Sequence, residues 1–61
     1  SRMKEIAGLG ERARIDSTPL FAYGVDLIQK GLFIRVIIQD KTEEGLNVAI
    51  SFARFISERA K

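Results

Sequence analysis

The segment Leu32-Phe33-Ile34-Arg35-Val36-Ile37-Ile38-Gln39 constrains this chain more than any other. It is β-branched and aromatic, bounded by Gly31 and Asp40-Lys41, and it reads as a strand. Successive side chains of a strand point to opposite faces. One face here is Leu32, Ile34, Val36 and Ile38, wholly aliphatic; the other is Phe33, Arg35, Ile37 and Gln39, apolar with a single charge. Both faces need cover, and the chain has only 61 residues to supply it. A domain of that size buries only roughly 60% of the surface its unfolded chain exposes.

Small folds escape this limit through disulfides, metals, unusually good packing or oligomerisation. The sequence has no cysteine and no histidine. A disulfide, a Cys/His zinc site, an iron–sulfur cluster and a Ser-His or Cys-His catalytic pair are therefore all excluded. No Asp-x-Asp-x-Asp-Gly spacing supports a carboxylate calcium loop, so neither a cofactor nor a metal is expected. Packing and association remain.

Residues 43–60 supply the second readable element, a long C-terminal helix. Thr42 is placed to cap it, Glu43 and Glu44 lie in its first turn and Arg59 near its end, each charge with the sign that the helix dipole favours. Glu44, Asn47, Ser51, Arg54 and Glu58 project onto one polar strip, while the apolar residues cover more than half of the circumference. A monomeric surface helix usually shows a narrower apolar stripe.

Residues 19–30 admit two readings. Asp16-Ser17-Thr18-Pro19 is a good helix start with Gly31 as the stop. Phe21, Tyr23, Val25 and Leu27 alternate as a strand does, with Gln29-Lys30-Gly31 as a three-residue hairpin loop. Gly24 and the aromatic, β-branched content favour the hairpin. Its register then sets Ile28 opposite Leu32, Val25 opposite Arg35 and Tyr23 opposite Ile37. That register puts Asp26 and Arg35 on opposite faces, which leaves Arg35 to pair with an acid across a subunit interface. Arg12–Asp16 reads as an optional third strand at the edge, with charges that discourage further pairing. Residues 2–9 read as one or two helical turns.

The expected fold class is α+β: an antiparallel β-hairpin, with three strands if residues 12–16 join it, followed by one long C-terminal helix and assembled as a homo-oligomer. The single domain, residues 1–61, divides into a basic and flexible arm over 1–11, strands within 12–39 and the helix over 43–60. The expected oligomer interface is Phe21, Tyr23, Val25, Phe33, Arg35, Ile37, Phe52 and Phe55.

Lys and Arg number 10 against 8 Asp and Glu, and the excess lies at the N-terminus in Arg2, Lys4, Arg12 and Arg14. These four define an alternative role, a nucleic-acid-binding arm multiplied by dimerisation. Gly8-Leu9-Gly10-Glu11-Arg12-Ala13 has the spacing of a dinucleotide fingerprint, but no strand–turn–helix unit fits around it, so it reads as a turn. No base stands ready to activate Ser17, Thr18, Ser51 or Ser57, so no enzyme is expected. No apolar run approaches the ~18 residues of a membrane span, and a cytoplasmic location is the expectation.

In topology, residues 12–60 with Thr42-Glu43-Glu44 opening the helix resemble the strand–strand–strand–helix DNA-binding domains, among them the N-terminal domains of tyrosine integrases. The resemblance implies DNA reading by Arg and Trp side chains on the sheet. This chain departs from that pattern in having no Trp and an apolar sheet. The principal expectation is a small, non-enzymatic interaction module whose partner is itself.

Overall fold

The computed structural model describes residues 3–60. Four strands, β1 (Met3–Ile6), β2 (Arg12–Asp16), β3 (Tyr23–Gln29) and β4 (Leu32–Ile38), precede one helix, α1 (Glu43–Arg59). The strands form one antiparallel sheet in the order β1-β2-β3-β4, so each pairs with its neighbour in sequence. The α+β class is as read from the sequence, with four strands in place of two or three. Met3–Ile6 is an edge strand, not helical turns in a flexible arm, and it covers the edge of β2 that the charge pattern assigned to solvent.

The hairpin of β3 and β4 corrects the expected register by one residue. Its loop is Lys30-Gly31 alone, with Gln29 opposite Leu32, Ile28 opposite Phe33 and Val25 opposite Val36. Lys30 has φ 52° and Gly31 φ 78°, the pair of left-handed residues whose twist matches the flanking strands in a two-residue hairpin. A one-residue change of pairing moves side chains to new neighbours across the whole sheet. Val25 and Leu27 therefore share a face with Ile34, Val36 and Ile38, and Asp26 shares the other with Arg35.

The helix packs on β3 and β4, and the core gathers Val25, Leu27, Ala13, Ala49 and Ala53 with Ile34, Val36, Ile38 and Ile50 against them. Leu9, in the β1–β2 loop, is buried in the same cluster. Gly8 and Gly10 flank it with φ 78° and 61°, so the Gly-Leu-Gly motif turns the chain to deliver a core side chain. Gln29, expected in the loop, is buried under α1, where its amide donates to the Ser57 carbonyl at 2.8 Å and accepts from the Ser57 hydroxyl at 2.5 Å.

The helix start is fixed by the cap that the sequence indicated. Thr42 Oγ1 accepts from the Gly45 backbone N–H at 3.1 Å, and Asp40 Oδ1 accepts from the Thr42 hydroxyl at 2.7 Å. Gly45 is buried where a Cβ would overlap the Asp40 carbonyl oxygen and lie 2.6 Å from Asp40 Cβ. Gly45→Ala is thus expected to destabilise the fold by about 1–2 kcal/mol in urea unfolding, since overpacking outweighs the ~1 kcal/mol that alanine gains over glycine in a helix.

Candidate interaction surface

The sheet face turned away from α1 carries a row of alternating charge. Glu5 on β1 stands opposite Arg14 on β2, Arg14 opposite Asp26 on β3, and Asp26 opposite Arg35 on β4. Arg35 grips Asp26 with two hydrogen bonds, Nε to Oδ1 at 2.7 Å and Nη2 to Oδ2 at 2.8 Å. Its Nη2 also reaches Asp16 Oδ2 at 3.2 Å, while Arg14 Nε donates to Asp26 Oδ2 at 3.3 Å. Arg12 and Glu5 pair at 2.8 Å near the edge. Paired forks of this kind are the strong form of ionic contact. Arg35 is thus satisfied within its own chain, which corrects the expected intersubunit pairing.

Asp26 is only 2% exposed although its face is open, because the two arginines lie over it. Hydrogen bonding to Asp26 raises the Arg35 guanidinium above its ordinary value, against the effect of burial. Hydrogen bonds from the Thr18 side chain and from its backbone N–H hold the Asp16 carboxyl below its ordinary value, with Arg35 and Arg14 adding to the effect and burial opposing it.

Apolar side chains flank the charged row. Ile28, Phe33 and Ile37 stand exposed on this face, with Met3 at the far edge. A shallow depression of about 460 Å³ runs between the row and its flank, lined by Met3, Glu5, Arg12, Arg14, Asp26, Ile28 and Phe33. Nothing in the described chain covers it.

A second apolar surface lies on α1. The helix turns its smallest residues inward, Gly45, Ala49, Ala53 and Ser57, and leaves Val48, Phe52 and Phe55 exposed. Small inward residues let the backbone approach the sheet, and the large side chains are left facing out. Arg59 lies over the Phe55 ring, 4.9 Å from its centroid. Leu20 and Phe21, at the tip of the β2–β3 loop, are more exposed still, at 75% and 76%. Lys41 fastens that loop through its ammonium, which donates to the carbonyls of Ser17, Pro19 and Ala22 and sits 4.8 Å from the centre of the Tyr23 ring.

The residues expected at an oligomer interface therefore divide. Phe21, Phe33, Ile37, Phe52 and Phe55 are exposed, on a loop, the open sheet face and α1. Val25 is fully buried and belongs to the chain's own core, and Tyr23 is half-buried on the same face beneath Lys41, a consequence of the corrected register. Asp16, Asp26, Ile28 and Val48 complete the surfaces and lie outside the expected interface, Asp26 because the expected register turns it away from Arg35. The pairing of all four strands reveals the first three, since it sets Glu5, Arg14, Asp26 and Arg35 in one row across the open face with Asp16 and Ile28 on the same side.

Of the basic residues, Arg12 and Arg14 lie on the open face in ion pairs and Lys4 points to the opposite face. Arg2 lies outside the described residues. Among the described residues no group of carboxylates could hold a metal ion, and no helix is long and apolar enough to cross a membrane. Comparison with protein-family models, curated proteins and solved structures finds no match for this chain.

Two outcomes are expected from the ionic row. Arg35→Met should cost about 2–4 kcal/mol in urea unfolding, because it leaves a buried carboxylate with Arg14 alone, and adding Asp26→Asn should return part of that loss. Asp16 binds a proton less readily folded than unfolded, so its contribution is present above the ordinary carboxylate range and disappears as pH falls through its lowered value. Stability of Asp16→Asn should accordingly depend less steeply on pH in the acid range than that of the wild type.

Proposed function

We propose that this chain is a non-enzymatic interaction module that works as a homo-oligomer. The observation that carries the reading is the inversion of α1, which buries alanines and exposes Phe52 and Phe55. Ten large apolar side chains are exposed among the described residues, whereas the buried apolar set comprises seven, four of them alanine. Val48, Phe52 and Phe55 form an exposed apolar stripe on α1, and exposed apolar patches mark sites of association. A core so small is marginal by itself, and binding between copies adds stability by mass action.

Nucleic-acid binding is the second reading, and the alignment of Arg12, Arg14 and Arg35 on the open face beside Phe33 favours it. Their guanidinia already face carboxylates, so this reading stands behind the first. It predicts that single-stranded or duplex probes bind at low salt and dissociate steeply as salt rises.

Sedimentation equilibrium at low micromolar concentration tests the first reading. The expected result is a species heavier than the 6.8 kDa of one chain, with dissociation and unfolding linked on dilution. A folded species of single-chain mass throughout would overturn it. Phe52→Asp separates the two cases: on a lone chain this exposed helix position tolerates the change within about 1 kcal/mol, whereas in an oligomer that buries the outer face of α1 the variant should dissociate.

A further inference from the structure

The outward stripe of α1 carries its own charge pattern. Val48, Phe52, Phe55 and Arg59 recur at spacings of four, three and four, so they lie along one line of the helix surface. Glu44 begins the line, and Ser51 sits beside Phe52. An open groove lined by Glu44, Asn47, Val48, Ser51, Phe52 and Phe55 follows it. The stripe is therefore acidic at its start, apolar in the middle and basic at its end.

That order selects an occupant. A second α1 laid parallel would bring Glu44 against Glu44 and Arg59 against Arg59. Laid antiparallel about a two-fold axis between Ser51 and Phe52, it faces Glu44 with the partner subunit's Arg59, Val48 with the partner subunit's Phe55, and the small Ser51 with the partner subunit's Phe52. All six positions lie on or beside the exposed stripe, and every one meets a complement in charge or size. The two-fold makes the same patch serve both copies, as a closed dimer requires. Residues 44 to 59 extend about 22 Å along the helix, enough for four turns to engage.

We infer that α1 is the dimer interface of this protein, an antiparallel two-fold helix pair closed at each end by Glu44 and the partner subunit's Arg59. This rests on the proposed self-association and names the surface that performs it. Arg59 already lies over the Phe55 ring, which holds its charge at the end of the apolar line, where the acidic start of an antiparallel helix arrives.

Charge reversal in the full chain tests the inference, with dimer dissociation constants measured by sedimentation at low salt. Glu44→Arg and Arg59→Glu should each weaken the dimer by fivefold or more, and the double variant should return it to within about twofold of wild type. The helix dipole opposes both substitutions and their effects on it add, so recovery in the double variant cannot come from α1 alone. Thermal unfolding of the same variants should fall progressively, with the double variant lowest in the monomer range.

Cysteine pairs check direction. The chain has no native cysteine, so an oxidised mixture of Val48→Cys and Phe55→Cys chains should give the mixed disulfide in preference to either homodimer. Unchanged dissociation constants in the single charge variants, or homodimers favoured over the mixed product, would overturn the inference. If the wild type still associates in that case, self-association stands and belongs to another face. A wild type of single-chain mass at every concentration would overturn both.

Discussion

Asp26 stands near the middle of a sheet face that no other part of the described chain covers, and it is still almost completely shielded from water. A carboxylate in that position is tolerable only while the strands on both sides present a guanidinium to it, and Arg14 and Arg35 do so. Buried ionic groups are weak sources of net stability, and their best-attested use is to select one register. Here the alternative is concrete. β4 is so largely apolar on both faces that its hydrophobic pattern barely distinguishes one alignment from the next, but sliding it by one residue would set Ile34 or Val36 opposite Asp26 in place of Arg35.

The register that satisfies Asp26 also decides what α1 meets. It places Val25 and Leu27 on the helix side, and Gln29 at the end of that row, where Ser57 closes a two-way hydrogen-bonded pair with it. Gly45, Ala49 and Ala53 then let the helix lie close to the strands. The result is a thin core with large side chains on its outside, and the proposed pairing of helices is a response to that distribution, not an addition to a finished fold.

Much of the architecture is legible in the residues, and the parts that are not share one cause. Thr42 with Glu43 and Glu44 marks the helix start, and the run from Leu32 marks a strand, because capping and β-branched content act locally. The turn between β3 and β4 is different. Lys30 adopts φ 52°, a conformation that a lysine side chain does not advertise, so Gln29 reads as loop and every facing assignment moves by one. The pairing of Arg35 with Asp26 and the burial of Val25 follow from that single residue. Met3–Ile6 is a short strand with two charges and no clear alternation, and only its partner β2 makes it visible. The exposed apolar character of Phe33, Ile37, Phe52 and Phe55 is legible throughout, since no register or turn type can hide all of it in so short a chain.

The sequential order of the strands has a kinetic consequence. Because every strand pairs with the one before it, no loop in the sheet is longer than the six residues between β2 and β3. The entropy lost in closing such loops is small, and hairpins of this size form in about 1–10 μs. The return of α1 across β3 and β4, the insertion of Leu9 and the reach of Lys41 to the β2–β3 loop bring together segments more distant in sequence. The rate at which a chain like this acquires its shape is accordingly governed by nearest neighbours, and the proposed helix pairing would add the one step whose rate depends on concentration.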